Sequence, residues 1–419
     1  MIRSVRFSVM VVLGLFSTAA VGTKVHAQTP PLEGAPPPAD TTATPPPTMP
    51  PPPPPPVTTA APVKLESAST TIKFGLLLQP QYSAVSSPAA GVSGYAQNLY
   101  IRRTRILVGG TLFGVVDYFI DTDFPNLFLS NNVAGAMGAA NTQPKTAPGM
   151  NIQDAFATYK AMGDMVKIDA GFMLPPMSHN AVQGATTLYG LDYFTNTFRH
   201  NGAAANGFIF NSTGNPVGRD LGVQLRGLVL DGKLEYRVGL FQGLRNAQTA
   251  TDIGSRNFFR LTGRLQVNLL DPETGFFYAG TYLGAKKILS FGLSGDVQDT
   301  YKYFAIDGIV DMPIGPGVVT GQVNVAHWNG GTFIAALPAQ TAVMAEAGFL
   351  LAAVPVSPII RYERESGSVP TTNVIGGGVG FWPYGHNTNV KLFYLRNTTN
   401  AAGGQGQNQI NLQWQIYFF

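Results

Sequence analysis

From about Thr71 onward the chain is written in short stretches where apolar and polar residues alternate. VKIDAGF sets Val166, Ile168, Ala170 and Phe172 against Lys167, Asp169 and Gly171. LGVQLRG sets Leu221, Val223 and Leu225 against Gly222, Gln224 and Arg226, and KLEYRVGL sets Leu234, Tyr236, Val238 and Leu240 against Lys233, Glu235, Arg237 and Gly239. RLTGRLQVNL carries Arg260, Thr262, Arg264, Gln266 and Asn268 on one parity, and NQINLQWQIYFF carries Ile410, Leu412, Trp414, Ile416 and Phe418 against amides. Period-two alternation predicts strands whose successive side chains point to opposite faces. Taken together the segments predict roughly sixteen strands between residues 71 and 419. A single such strand could equally bury its apolar face in a soluble protein.

The connections narrow the choice. Odd-numbered ones look long (84–96, 124–150, 174–218, 244–256, 329–340 and 398–407), and most even-numbered ones are tight, as in GGTLFG, KAMGD, LDGK, MPIGPG and PYGHN. A short connection near 298–300 and a long one at 270–285 break the rule. Long loops at one end and tight turns at the other are the layout of an outer-membrane barrel. In lipid the backbone must satisfy its own hydrogen bonds, so only helices and closed barrels span. No stretch beyond the first residues is apolar for 18 positions, which removes a spanning helix. The fold class expected is therefore all-β, a transmembrane antiparallel β-barrel whose apolar parity faces lipid.

Composition agrees. Only 12% of residues are charged, about half the usual share, while glycine (48 residues) and aromatics (11%) are plentiful. The absence of cysteine excludes disulfides, thiol catalysis and thiolate metal sites. The segment 1–27 has Arg3 and Arg6, an apolar run from Phe7 to Val21, and Val25-His26-Ala27, the pattern of a secretory signal peptide cleaved after Ala27. Losing Arg3, Arg6 and Lys24 with it leaves 24 basic residues against 23 acidic, so the +4 of the full chain falls to about +1 and nucleic-acid binding loses its support. Residues 28–69 form a Pro-rich periplasmic linker: 16 of the 32 prolines fall between 30 and 62, with an unbroken run from Pro50 to Pro56. Such a segment is extended polyproline II, read either as a stiff spacer reaching towards the cell wall or as an unselected leader. The barrel domain then occupies 70–419.

LYIRRTRILVGGTLFGVVDYFIDTDF, residues 99–124, resembles the phosphate-selective porin O/P family of Gram-negative bacteria, with its paired-arginine strand, Gly-Thr turn and returning strand of aromatics and Asp. DAFATYKAMGDMVKIDAGFMLPP, GRDLGVQLRG and NVIGGGVGFWPYGHNTNVKLFYLRN resemble later hairpins of that family in the same order, so the likeness runs from about 71 to 419. It implies a 16-stranded homotrimeric barrel in the outer membrane, surrounded by lipid and inserted by the assembly machinery that reads a terminal aromatic strand. In the terminal strand the apolar phase ends on Phe418, leaving Phe419 out of register. It also implies that the third external loop, 174–218, folds into the lumen. Arg102 and Arg103 carry over as the paired-arginine motif. The span 174–218 holds Arg199 but no lysine of the kind an anion-selective constriction in this family would use.

Independently of the family, a pore needs fixed charges aimed into its aqueous path. If Asp231-Gly232 makes a two-residue hairpin turn, Arg226 falls opposite Arg237, and Arg260 and Arg264 extend the same face. Like charges opposite one another destabilise a sheet, so a basic stripe there is expected to line an anion path, unless Asp220, Glu235 and water neutralise it. Changing Arg226 and Arg237 to Gln is then expected to lower anion preference. Arg103 and Arg105 share a parity and Arg102 points oppositely, so either a bulge turns Arg102 inward or its head snorkels to an interface. Across the turn, Arg103 is placed near Asp121, with Asp117 and Asp123 on the same face. No G-x-S-x-G, H-E-x-x-H or phosphate loop is present, and His179, His200, His327 and His386 read as surface or rim residues without metal-ligand spacing. The GGGVG at 376–380 has no helix after it and reads as wall packing. The expected function is passive, cofactor-free passage of small hydrophilic solutes with some preference for phosphate or similar anions. The alternatives are a non-selective general porin, an outer-membrane barrel enzyme and a soluble periplasmic β-sandwich binding protein.

Overall fold

The structure, a computed structural model, describes residues 61–86, 93–129, 149–194, 197, 218–244, 259–335, 337–404 and 406–419. The signal peptide, the linker up to residue 60, Arg199 and His200 lie outside these residues. In chain order the strands are β1 (Val63–Glu66), β2 (Thr70–Ser86), β3 (Tyr95–Leu112), β4 (Val116–Asp123), β5 (Asn151–Lys160) and β6 (Lys167–Met173). There follow β7 (Asp220–Val229), β8 (Leu234–Phe241), β9 (Arg260–Asn268), β10 (Ile288–Gln298), β11 (Tyr301–Ile314) and β12 (Gly317–Asn329). The last are β13 (Gln340–Leu351), β14 (Val356–Gly367), β15 (Thr372–Tyr384), β16 (Thr388–Thr399) and β17 (Gln407–Phe418). A single 3-10 turn, Asn180–Val182, interrupts the β6–β7 connection.

Strands β2 to β17 each pair antiparallel with their sequence neighbours, and β17 pairs back onto β2 with Gln413 opposite Gln81 and Phe418 opposite Leu76. The result is a closed barrel of 16 strands, which leaves no sheet edge to be satisfied. The short β1 comes from the end of the segment expected as linker and adds to β2, with Val63 opposite Phe74.

The two faces are inverted relative to a soluble protein. In β9, Leu261 and Leu265 are each 50% exposed while Arg260, Thr262, Arg264 and Gln266 are buried. The same parity holds in β17, where Ile410, Leu412 and Trp414 are exposed and Gln409, Asn411, Gln413 and Gln415 are buried. An apolar outer surface of this extent has lipid as its matching solvent, and the polar parity faces the interior.

The connections sort as the sequence suggests. One end of the barrel carries 87–94, 124–150, 174–219, 242–259, 330–339 and 400–406, and the other carries 113–115, 161–166, 230–233, 315–316, 352–355 and 385–387. Both exceptions persist, 299–300 being short at the long-loop end and 269–287 long at the short-turn end, and a third joins them: 368–371 is short at the long-loop end. At 230–233 the Lys233 N–H donates to Leu230 O at 3.1 Å, and Asp231 and Gly232 have φ of 55° and 81°. These are the positive angles a type I′ hairpin needs, and they set Arg226 opposite Arg237.

Candidate functional site

Two connections make hydrogen bonds to side chains on the inward parity of the wall. From the short-turn end, 269–287 runs along the inward side chains of neighbouring strands. Arg237 of β8 donates to Phe276 O at 2.8 Å, Lys167 of β6 to Thr274 O at 3.3 Å, and Thr281 Oγ1 donates to Asp311 of β11 at 2.6 Å. From the long-loop end, the described residues 174–194 make contacts on the opposite wall. Gln183 donates to Gln322 of β12 at 2.9 Å, Gly190 N–H to Glu346 of β13 at 3.1 Å, and Lys391 of β16 to the carbonyls of Leu188 and Gly190 at 2.6 and 2.7 Å. Arg361 of β14 donates to Asp192 O at 2.6 Å. The two segments meet in a short parallel ladder at Gln183 and Tyr278: Tyr278 N–H donates to Val182 O at 3.0 Å and Gly184 N–H to Tyr278 O at 2.9 Å. An apolar cluster that includes Met177, Val182, Leu188, Tyr278, Tyr303, Trp328 and Met344 packs them against the wall.

Each arginine of the expected stripe has a carboxylate partner. Arg226 Nε lies 2.8 Å from Asp169 Oδ2, Arg237 Nε 2.7 Å from Glu235 Oε1, Arg260 Nη2 2.7 Å from Asp296 Oδ2, and Arg264 Nη1 2.5 Å from Asp307 Oδ2. All four are buried, Arg237 completely. Arg237 also lies over the Tyr278 ring at 4.4 Å. Of the two outcomes the sequence left open for these residues, neutralisation describes their surroundings. Of the two carboxylates that sequence spacing pointed to, Glu235 pairs with Arg237 and Asp220 lies 3.2 Å from Arg260; Asp169 and Asp296 come from adjacent strands and Asp307 from β11, two strands away.

The paired arginines stand differently. Between Leu78↔Thr104 and Pro80↔Ile101 the β2–β3 register shifts, so that Arg102 and Arg103 together face Gln79. This β-bulge turns both side chains inward, deciding between the two placements open for Arg102. Arg102 Nη2 and Arg103 Nη2 reach Asp192 Oδ2 and Oδ1, each at 2.6 Å, and Arg103 Nη1 donates to Gln79 Oε1 at 2.8 Å. Burial would raise the Asp192 carboxyl, but the two guanidiniums override it and hold it well below the usual carboxylate range. Asp192 keeps 23% side-chain exposure, whereas the stripe's own carboxylates Asp169, Glu235, Asp296 and Asp307 keep at most 4%. The placement of Arg103 near Asp121 is corrected. With Leu107 opposite Asp121, it is Arg105 that takes Asp121 and Asp123, at 3.1 and 3.0 Å, while Asp117 pairs with Lys160 at 2.9 Å.

Two histidines also need correction, whereas His327 is exposed as expected. His179 is buried, its Nε2 2.9 Å from Glu273 Oε2 and its ring stacked on Tyr278 at 4.7 Å. Burial would raise the Glu273 carboxyl, yet His179 holds it below the usual range. His386, in the β15–β16 turn, donates from Nε2 to Thr281 O at 3.0 Å. Packing pushes its pKa down to about 4. Among the described residues no group of three or more His, Cys, Asp or Glu could hold a metal ion. Two glycines of the GGGVG stretch, Gly378 and Gly380, lie under the rings of Phe393 and Trp382, as close wall packing requires.

No protein-family profile matches this sequence, and no curated protein matches it. Among solved structures, an anion-selective porin from Comamonas acidovorans aligns with a TM-score of 0.54 at 13% identity, covering 83% of this chain and 100% of its own. The outer membrane channel DcaP of Acinetobacter baumannii aligns with a TM-score of 0.51 at 10% identity, covering 86% of this chain and 100% of its own. The fold is a porin fold. At these identities the likeness is one of architecture, and residue roles have to come from this chain. What the sequence reading missed within the porin fold is Asp192, in a loop without period, and a group of inward phenylalanines. The signal for the latter was present: Phe119 and Phe156 sit on the polar parity, beside Asp121 and Asp154.

Proposed function

We propose that the protein is an outer-membrane porin for passive diffusion of small hydrophilic solutes, with a preference for small anions such as phosphate. In this reading it assembles as a homotrimer and the β6–β7 connection folds into the lumen as its constricting loop. The observation that carries the preference is the convergence of the buried Arg102 and Arg103 on one carboxylate, Asp192, whose own side chain keeps 23% exposure. Two guanidiniums meeting on one partly exposed carboxylate gather positive charge beside a group that water reaches, where a passing ion can feel it. Arg226, Arg237, Arg260 and Arg264 enter the reading as the wall lattice that holds the inserted segments, each set against a carboxylate.

The test is single-channel recording of refolded full-length protein in a planar bilayer under a salt gradient, with phosphate then titrated in. Stepwise currents with an anion-selective reversal potential and phosphate block are expected. Arg103→Gln should lower the anion-to-cation permeability ratio and Asp192→Asn should raise it; a ratio that moves with neither removes the anion preference. A non-selective general porin is the second reading, favoured by the carboxylate pairing of every wall arginine, Arg260 with two of them, and it is the one left standing by conductance without selectivity.

A further inference from the structure

At the short-turn end the interior is lined by phenylalanine. Phe119 of β4 lies edge-on to Phe277 at 5.6 Å and to Phe419 at 5.5 Å, and Phe156 of β5 packs on Phe276 at 4.3 Å. Phe419 follows β17 in the phase of Gln413, Gln415 and Tyr417, so its ring turns inward while Phe418 keeps the outer parity. Two wall positions make room for it. A Cβ on Gly109 would lie 2.8 Å from Phe419 Cζ, and one on Gly75 would lie 2.7 Å from its Cδ2. Only glycine leaves that space. Phe119, Phe277 and Phe419 stay partly exposed, as do Gly184, Thr186 and Thr187 of the inserted segment beside Phe277. Rings that served only as packing would be closed off like Phe241, which is fully buried.

We propose that Phe119, Phe277 and Phe419 form an apolar constriction at the short-turn mouth that discriminates ions by their hydration. This rests on the channel reading and adds a second selectivity element to the arginine pair, one that acts on the cost of shedding water rather than on charge. A phenyl surface offers no replacement for hydration, so a weakly hydrated anion passes it more readily than a strongly hydrated one, and a narrow apolar stretch can itself dewet.

The test records refolded full-length protein and compares thiocyanate with phosphate, each against chloride. The intact channel should favour thiocyanate by more than the two ions' mobilities in water. Phe277→Ala, Phe119→Ala and Phe419→Ala should each raise conductance and lower the thiocyanate-to-phosphate ratio by about twofold or more, as widening and wetting an apolar neck requires. Gly109→Ala, which displaces the Phe419 ring without deleting it, should change the ratio in the same sense. If Phe119→Ala or Phe419→Ala fails to fold, Phe277→Ala carries the measurement, because Phe277 lies on a connection outside the barrel wall. Folded variants with unchanged conductance and ratio overturn the constriction while the channel stands. A folded wild type that passes no current overturns the channel and the constriction together.

Discussion

Two arginine sites in this barrel use the same side chain in opposite ways. On β7 to β9, Arg226, Arg237, Arg260 and Arg264 are dry and each is matched by a carboxylate at 2.5–2.8 Å. At the β3 bulge, Arg102 and Arg103 share Asp192, which remains partly exposed. The first arrangement sets each charge against a carboxylate and ties the wall to the 269–287 connection, as Arg237 does through the carbonyls of Phe276 and Gly275. The second gathers two buried guanidiniums on one carboxylate that keeps some access to water. The number of arginines in a barrel interior therefore does not by itself describe its charge; how each is paired and how far water reaches it must be known as well.

The largest effect expected from breaking this contrast is on stability. Arg264→Gln strands Asp307 in a dry site, and losing one partner of a buried pair costs about 3–5 kcal/mol. It should show as a lower temperature for loss of the compact, heat-modifiable form on gels, with anion selectivity kept. Replacing both members, Arg264→Leu with Asp307→Leu, should recover most of that loss, because a well-packed apolar pair replaces a desolvated one. If Arg264→Gln instead shifts the reversal potential and leaves stability intact, the division between the two sites fails. Next in size is the opposite signature: Arg103→Gln should move selectivity with a smaller stability loss than Arg264→Gln, since Asp192 retains Arg102 and some water.

A smaller effect reads the seating of the 269–287 connection. His386 holds Thr281 O in the neutral form, with a folded pKa of about 4 against an ordinary value of 6.5; packing lowers it most, and Lys391 lowers it further. Below pH 6.5 the unfolded chain binds the proton that the folded one refuses, so this contribution to stability is complete above pH 6.5 and falls as the pH drops towards 4. His386→Gln should flatten that part of the stability–pH curve between 4 and 6.5; a curve of unchanged slope would remove His386 as its source.

Much of the fold was legible because a barrel strand states its environment every second residue. KLEYRVGL and RLTGRLQVNL announce a strand, its outward face and, with Asp231-Gly232, even the Arg226–Arg237 register. The site was legible only as a roster of charges. Asp307 lies 43 positions from Arg264, and Asp192 lies about 90 from the arginines it joins, so no local pattern could pair them. The bulge was one of two possibilities for Arg102, because a strand's sequence does not show which residue its neighbour will skip.

The sequence by itself determined an all-β chain of roughly sixteen strands, the apolar outer face, the turn at residues 231–232 and the anomalous lengths near 298–300 and 270–285, since each follows from local periodicity and turn chemistry. Only the tertiary structure decided that the arginine stripe is cancelled, that Arg102 turns inward to share Asp192, and that Phe419 joins Phe119 and Phe277 in the interior. Those outcomes depend on which residues of distant strands and inserted segments come within about 3–6 Å, and contacts at that range are set by barrel closure rather than by neighbours in the chain.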